Sequence, residues 1–158
     1  MALEIERKFL VNSSQYKNEA YKKVEISQGF LCSEKNAFVR VRIQDERGFI
    51  TIKGVSNKEG TTRYEWEKEI ELEDAKNLLL LSKTALIVKT RHFIKIKNHT
   101  FEVDEFYGDN SKLVIAEIEL SEPSERFEKP NWLGREVTGD LKYYNVNLAL
   151  KPYKHWTK

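Results

Sequence analysis

Three Glu-x-Glu pairs and two similarly spaced basic pairs stand out in the 158-residue chain. The acidic pairs are Glu4 and Glu6, Glu65 and Glu67, and Glu117 and Glu119; the basic ones are Arg40 and Arg42, and Lys89 and Arg91, with Lys53 alone. Carboxylates supply hard oxygen ligands for Mg²⁺ or Mn²⁺, and Arg and Lys grip phosphate oxygens. A site that held both sets would suit a metal-chelated polyphosphate. Residues two apart on a strand share a face, so each pair projects to one side. One wet face of a sheet accounts for any single pair, but such faces normally mix both signs with Thr, Ser and Gln. Here the sign is sorted strand by strand, and like charges two apart cost energy unless opposite charge lies between them. A lumen lined by both sets, with an anion inside, accounts for the sorting.

The elements that would position these residues follow from period-two alternation. Leu3-Ile5-Arg7-Phe9, Val39-Val41-Ile43, Ile50-Ile52, Tyr64-Trp66 and Ala116-Ile118-Leu120 each alternate with polar or charged residues. Val24 to Cys32 reads as a strand, and Ile87 to Phe106 as a hairpin broken near Asn98-His99. Turn signals at Asp45-Glu46-Arg47-Gly48, Asn57-Lys58-Glu59-Gly60 and Gly108-Asp109-Asn110 separate the runs. About eight strands with short connections predict an α+β fold built on an antiparallel sheet or barrel, and closure would remove its exposed edges. Ser13-Ser14 should cap a short helix through Ala20, and Glu73-Asp74 should open one over Leu78 to Leu81. Pro130 to Gly134 reads as a one-turn element, and Asp140 as the cap of a short helix through Tyr143-Tyr144. No internal repeat or linker interrupts the chain, which reads as one domain over residues 1–158.

Composition narrows the function classes. The chain carries 27 Lys+Arg against 25 Asp+Glu, a net charge of +2, and its mean hydropathy is −0.61. Neither a basic nucleic-acid module nor an acidic tail has so even a balance. A single cysteine, Cys32, excludes an intrachain disulfide and a thiolate zinc cluster. No apolar run reaches membrane-spanning length, and Glu4, Glu6, Arg7 and Lys8 occupy the place of a signal peptide's apolar segment, which points to the cytoplasm. His92, His99 and His155 lack metal-ligand spacing, and no P-loop or Gly-x-Ser-x-Gly motif is present. The basic, aromatic tail from Lys151 to Lys158 reads as a frayed or docked terminus.

The N-terminal Glu4-Ile5-Glu6-Arg7-Lys8 resembles the Glu-x-Glu-x-Lys signature of the CYTH family, the triphosphate tunnel metalloenzymes. The resemblance continues in order through Arg40-Val41-Arg42, Thr51-Ile52-Lys53-Gly54, Arg63-Tyr64-Glu65-Trp66-Glu67 and Lys89-Thr90-Arg91. It then runs through Val103-Asp104-Glu105-Phe106-Tyr107-Gly108, Ala116-Glu117-Ile118-Glu119 and Trp132-Leu133-Gly134-Arg135-Glu136-Val137-Thr138. Each motif is short, but their order over nearly the whole chain is specific.

The resemblance implies an eight-stranded antiparallel β-barrel, a tunnel open to substrate with a few flanking helices, that hydrolyses a triphosphate with a divalent metal, Mg²⁺ or Mn²⁺. Compact bacterial members with this motif order are similar to inorganic triphosphatases. The alternatives are a class IV-type adenylate cyclase, a thiamine triphosphatase, and, outside enzymes, a polyphosphate-binding module. Carried over by position, Glu4, Glu6, Glu117 and Glu119 would hold metal, with Asp104 and Glu67 as weaker candidates. Lys8, Arg40, Arg42, Lys53, Lys89 and Arg91 would contact phosphate, and Lys8, Glu4 and Glu6 would be catalytic. Some relatives pair the lysine equivalent to Lys8 with a tyrosine where this chain has Gln28-Gly29-Phe30, so a Lys–Tyr pair would need a tyrosine from elsewhere. The expected partner is a small-molecule triphosphate rather than nucleic acid or membrane, and exposed aromatics are compatible with a homodimer.

Overall fold

Alternation carries most of the chain into strands. The computed structural model describes residues 3–157, so Met1, Ala2 and Lys158 of the basic tail lie outside it. The strands are β1 (Leu3–Val11), β2 (Lys22–Glu34), β3 (Ala37–Gln44), β4 (Arg47–Gly54) and β5 (Thr62–Ile70), then β6 (Ile87–Ile96), β7 (His99–Phe106), β8 (Val114–Glu119) and β9 (Leu133–Glu136). All their pairings are antiparallel, in the order β5-β4-β3-β2-β6-β7-β8-β1-β9. A further pairing of β1 with β5, at Leu3↔Tyr64, Glu4↔Arg63 and Ile5↔Thr62, closes the first eight into a barrel. β1 thus serves three neighbours: β5 at its start, β8 along one edge from Glu6 to Leu10, and β9 at its end.

β9 is a correction to the one-turn element expected at Pro130 to Gly134. Only Asn131-Trp132 turns, and Leu133–Glu136 then runs beside β1, with Val11↔Leu133 and Phe9↔Glu136. A Cβ on Gly134 would lie 3.0 Å from the Leu10 carbonyl oxygen, so glycine permits this close approach. The expected Ser13-Ser14 cap is also absent. α1 is only Tyr16–Glu19, with Gln15 at its N-cap and no side-chain capping bond. Buried Tyr16 instead anchors this turn edge-on against His92 and Trp132, at ring distances of 5.2 and 6.1 Å. α2 (Leu72–Leu79) begins with Glu73 and Asp74 in its first turn as expected, but stops before Leu80 and Leu81, which are 82% and 65% exposed. The Asp140 side chain accepts from the Lys142 amide at a 3₁₀ turn over Leu141–Tyr143. α3 (Asn145–Leu150), which follows, has no counterpart in the sequence reading.

Two apolar clusters hold the barrel. The first packs the outward faces of β1, β7 and β8 (Phe9, Phe101, Val103, Ala116 and Ile118) under Tyr16 of α1 and Trp132 of the segment leading to β9. The second includes Phe30, Ile87, Phe106 and Ile115, joined by Tyr143, Val146 and Leu148 from the C-terminal segment, with Leu10 packed against it. Leu10, Ile87, Phe106 and Ile115 lie two positions from Lys8, Lys89, Asp104 and Glu117 and share their faces. The lumen therefore turns from charged to apolar along its axis, and α3 with the turn before it fills one end. No helix among the described residues is long and apolar enough to cross a membrane.

Candidate active site

The lumen holds a cavity of about 230 Å³. Among the described residues, seven cations and seven carboxylates line it, with Phe30, Phe38, Tyr144, Asn145 and Val146 completing the wall. Charge is divided by sector. Lys53 on β4, Arg40 and Arg42 on β3, and Lys89 and Arg91 on β6 lie on one run of neighbouring strands. Glu102 on β7, Glu117 and Glu119 on β8, Glu4 and Glu6 on β1, and Glu65 and Glu67 on β5 face them from the other run. Lys8 and Arg63 are the two cations on the carboxylate side.

Ion pairs link the sectors. Lys53 Nζ lies 2.9 Å from Glu4 and 3.1 Å from Glu65, while within the carboxylate sector Lys8 Nζ lies 2.8 Å from Glu117 and 3.1 Å from Glu6. Arg91 Nη1 lies 2.7 Å from Glu102, and Arg42 Nη2 donates to Glu67 across 3.3 Å. Arg40 Nη2 donates to Thr51 Oγ1 at 3.2 Å, and Thr51 Oγ1 in turn donates to Glu67. Two guanidinium nitrogens, Arg40 Nε and Arg42 Nε, are buried without a partner. Such donors cost free energy until something accepts from them. The carboxylates with the more exposed side chains, Glu65, Glu67, Glu102 and Glu119, lie toward the mouth, opposite the filled end.

The electrostatics follow from this crowding. Burial works against charge on Lys8, yet Glu117 and Glu6 outweigh it and hold its ammonium above the usual lysine value. Burial and the nearby Arg40 push Lys53 down to about 8. Burial also brings Lys89 to about 8, with Asp104 opposing the shift. The Arg40 guanidinium, buried beside Arg42 and Arg91, falls to about 9 and stays charged at neutral pH. Burial, with Glu117 and Glu4 nearby, raises Glu6, and burial beside Glu4 and Glu102 raises Glu119.

These raised carboxyls test the fit of a cation. Glu6 and Glu119 face each other across the β1–β8 ladder, and Glu117 faces Lys8. Repulsion within this set favours a divalent ion, and hard oxygen donors suit Mg²⁺ or Mn²⁺. No three His, Cys, Asp or Glu side chains among the described residues stand close enough together to hold a metal ion as a set. Mg²⁺ commonly takes one or two carboxylates and completes its shell with water and phosphate oxygens, so the open arrangement fits that ion.

Of the side chains named from sequence, Glu4, Glu6, Lys8, Arg40, Arg42, Lys53, Glu67, Lys89, Arg91, Glu117 and Glu119 all line the cavity. Asp104 does not. It shares the lumen face of β7 but is buried, accepting from Lys89 Nζ at 2.7 Å and from Arg91 at 2.7 and 2.9 Å. Arg63, quoted only within the resemblance, and Glu102, Tyr144 and Asn145 line the wall without a site role having been read for them from the sequence. Asn145 accepts from both Lys89 and Gln28 at 2.8 Å, which ties the start of α3 to the cationic sector. A tyrosine does arrive from elsewhere, but Tyr144 turns its ring to Lys8, 5.5 Å from Nζ to the centroid, while its hydroxyl lies 3.3 Å from Ser56 Oγ.

The sequence matches the model of the CYTH domain over residues 2–153. It is similar to an inorganic triphosphatase of Acetivibrio thermocellus, 45% identical over 157 residues that cover 99% of each chain. It is also similar to an inorganic triphosphatase of Nitrosomonas europaea, 35% identical over 151 residues, 93% of this chain and 97% of that one. A crystal structure of an inorganic triphosphatase superposes with a TM-score of 0.66 at 31% identity, covering 96% of this chain and 97% of the other.

Proposed function

The chain belongs to the CYTH domain family, and from that membership we propose that it is a divalent-metal-dependent triphosphatase that splits inorganic tripolyphosphate into pyrophosphate and phosphate. The observation that carries this reading is the two-sided lumen, cations on one run of strands and carboxylates on the other. A linear triphosphate carries about four to five negative charges near neutral pH, and mutual repulsion keeps a nucleophile away from its phosphorus atoms. Arg40, Arg42, Lys53, Lys89 and Arg91 would neutralise and align it from one side, and the buried Arg40 and Arg42 Nε groups supply donors in want of an acceptor.

Glu4, Glu6, Glu117 and Glu119 would hold Mg²⁺ or Mn²⁺, which when bound shields the phosphate oxygens and makes water a stronger nucleophile. Lys8 keeps its proton, being held above the usual lysine value, so it donates to phosphate and does not serve as the base. With the Tyr144 ring, rather than its hydroxyl, toward Lys8, no Lys–Tyr hydrogen-bonded pair forms. In-line attack by water on the terminal phosphorus would break the P–O–P bond and release pyrophosphate with no covalent enzyme intermediate.

The test is phosphate release from tripolyphosphate, ATP, GTP and thiamine triphosphate, each with Mg²⁺ and with Mn²⁺. The expected result is fastest release from tripolyphosphate, abolished by EDTA. Cyclic AMP from ATP would move the assignment to a cyclase, and tight metal-dependent binding with no release would make the protein a binding module.

A further inference from the structure

Arg63 stands apart among the cavity's cations. It lies on β5 directly across from Glu4 of β1, where the barrel closes. Its side chain is only 12% exposed, and Nη2 is 3.8 Å from Glu4 and 3.9 Å from Glu6, beyond hydrogen-bond reach. Those carboxylates have nearer partners, Lys53 at 2.9 Å and Lys8 at 3.1 Å. The Arg63 guanidinium thus brings five N–H donors into the lumen, and none makes a side-chain hydrogen bond among the described residues. Tyr144 holds the group, with its ring centroid 5.4 Å from the guanidinium carbon, and is itself nearly buried and fastened by its hydroxyl to Ser56.

We propose that Arg63 is a phosphate-binding residue that grips the triphosphate from the carboxylate side of the lumen, and that Tyr144 is the positioning residue that aims it. The proposal deepens the triphosphatase reading and rests on it. Five of the cavity's cations face the substrate from the opposite run of strands, and these alone would hold a phosphate chain from one side. Arg63 and Lys8, sharing the Tyr144 ring, enclose it from the other. A planar guanidinium also bridges two phosphate oxygens in a way an ammonium cannot. If Arg63 were only a counter-charge to Glu4 and Glu6, a lysine in its place would serve equally well.

The experiment compares wild type, Arg63→Ala, Arg63→Lys, Tyr144→Leu and the Arg63→Ala/Tyr144→Leu double variant on tripolyphosphate, with melting temperatures in parallel. Arg63→Ala is expected to lose about 10- to 100-fold in kcat/KM, the effect of removing a charged hydrogen bond. Arg63→Lys should recover little, and millimolar guanidinium should partly restore Arg63→Ala while leaving wild type unchanged. Tyr144→Leu should raise KM, and most of that effect should vanish in the double variant. Wild-type kinetics in Arg63→Lys, or an unchanged kcat/KM in Arg63→Ala, would overturn the proposal. If wild type itself releases no phosphate from any triphosphate, the triphosphatase reading fails first. Calorimetric binding of tripolyphosphate to wild type and Arg63→Ala in EDTA then decides the role of Arg63 separately, with equal affinity refuting it. Should Arg63→Ala not fold, Arg63→Gln and Arg63→Lys carry the same comparison.

Discussion

At Asp104 both carboxylate oxygens are committed, one to Arg91 and the other shared between Lys89 and Arg91. Removing one partner of a buried ionic set strands the rest, so Asp104→Ala should lower stability by about 3–5 kcal/mol, read as the urea midpoint. Glu119→Gln is the contrast. Its side chain is exposed at the mouth, and its carboxyl is raised by desolvation and by Glu4 and Glu102. The amide relieves that repulsion and weakens metal binding, so turnover should collapse while the melting temperature holds. Equal stability losses in the two variants would contradict this division. Most of the wall was legible because the sign of charge is constant along most of the strands, with Lys8 on β1 read instead from the Glu-x-Glu-x-Lys signature. Arg63 breaks that rule, standing next to Tyr64 on the strand of Glu65 and Glu67, and Glu102 has Asp104 rather than a second glutamate two places away, outside the Glu-x-Glu pattern. Charge sorting therefore passed over both, and only the closure of β5 on β1 brings Arg63 beside Glu4.

Among the elements, the strands with clear alternation were readable and the pieces held by tertiary contacts were not. β9 has four residues and only Leu133 to suggest an apolar face, too short for a period to register. Its place is set by Trp132, fully buried edge-on to Tyr16 and Phe101. Trp132→Ala should cost about 3–5 kcal/mol in equilibrium unfolding, and a loss under about 1 kcal/mol would argue against this anchor. α3 was hidden for a similar reason. Its sequence, Asn-Val-Asn-Leu-Ala-Leu, has no charged residue and no side-chain cap, and it becomes helical while burying Val146, Leu148 and Ala149 at the filled end of the barrel.

For the whole molecule, the lumen is an electrostatic compromise that should respond to pH in two opposite directions. Lys53 and Lys89 sit near 8 when folded, below the ordinary lysine value of 10.5. Between about pH 8 and 10 the unfolded chain therefore binds more protons at these sites, and their contribution to stability rises with pH. Phosphate binding runs the other way, because it needs both ammonium groups charged. In EDTA, tripolyphosphate affinity should fall across that window while the melting temperature does not fall with it. A flat affinity from pH 7 to 10 would remove these lysines from the phosphate grip. Closure also bears on how the protein is made. β1 must bond to β5, β8 and β9, and its Arg7 forms a two-pronged pair with Glu136, 129 residues away. At about 5–20 residues per second of synthesis, the first strand waits on the order of ten seconds for its last partner. Throughout that wait one edge of the unfinished sheet stays open to neighbouring chains. Refolding of the finished protein should likewise be slow, since these contacts join distant parts of the sequence.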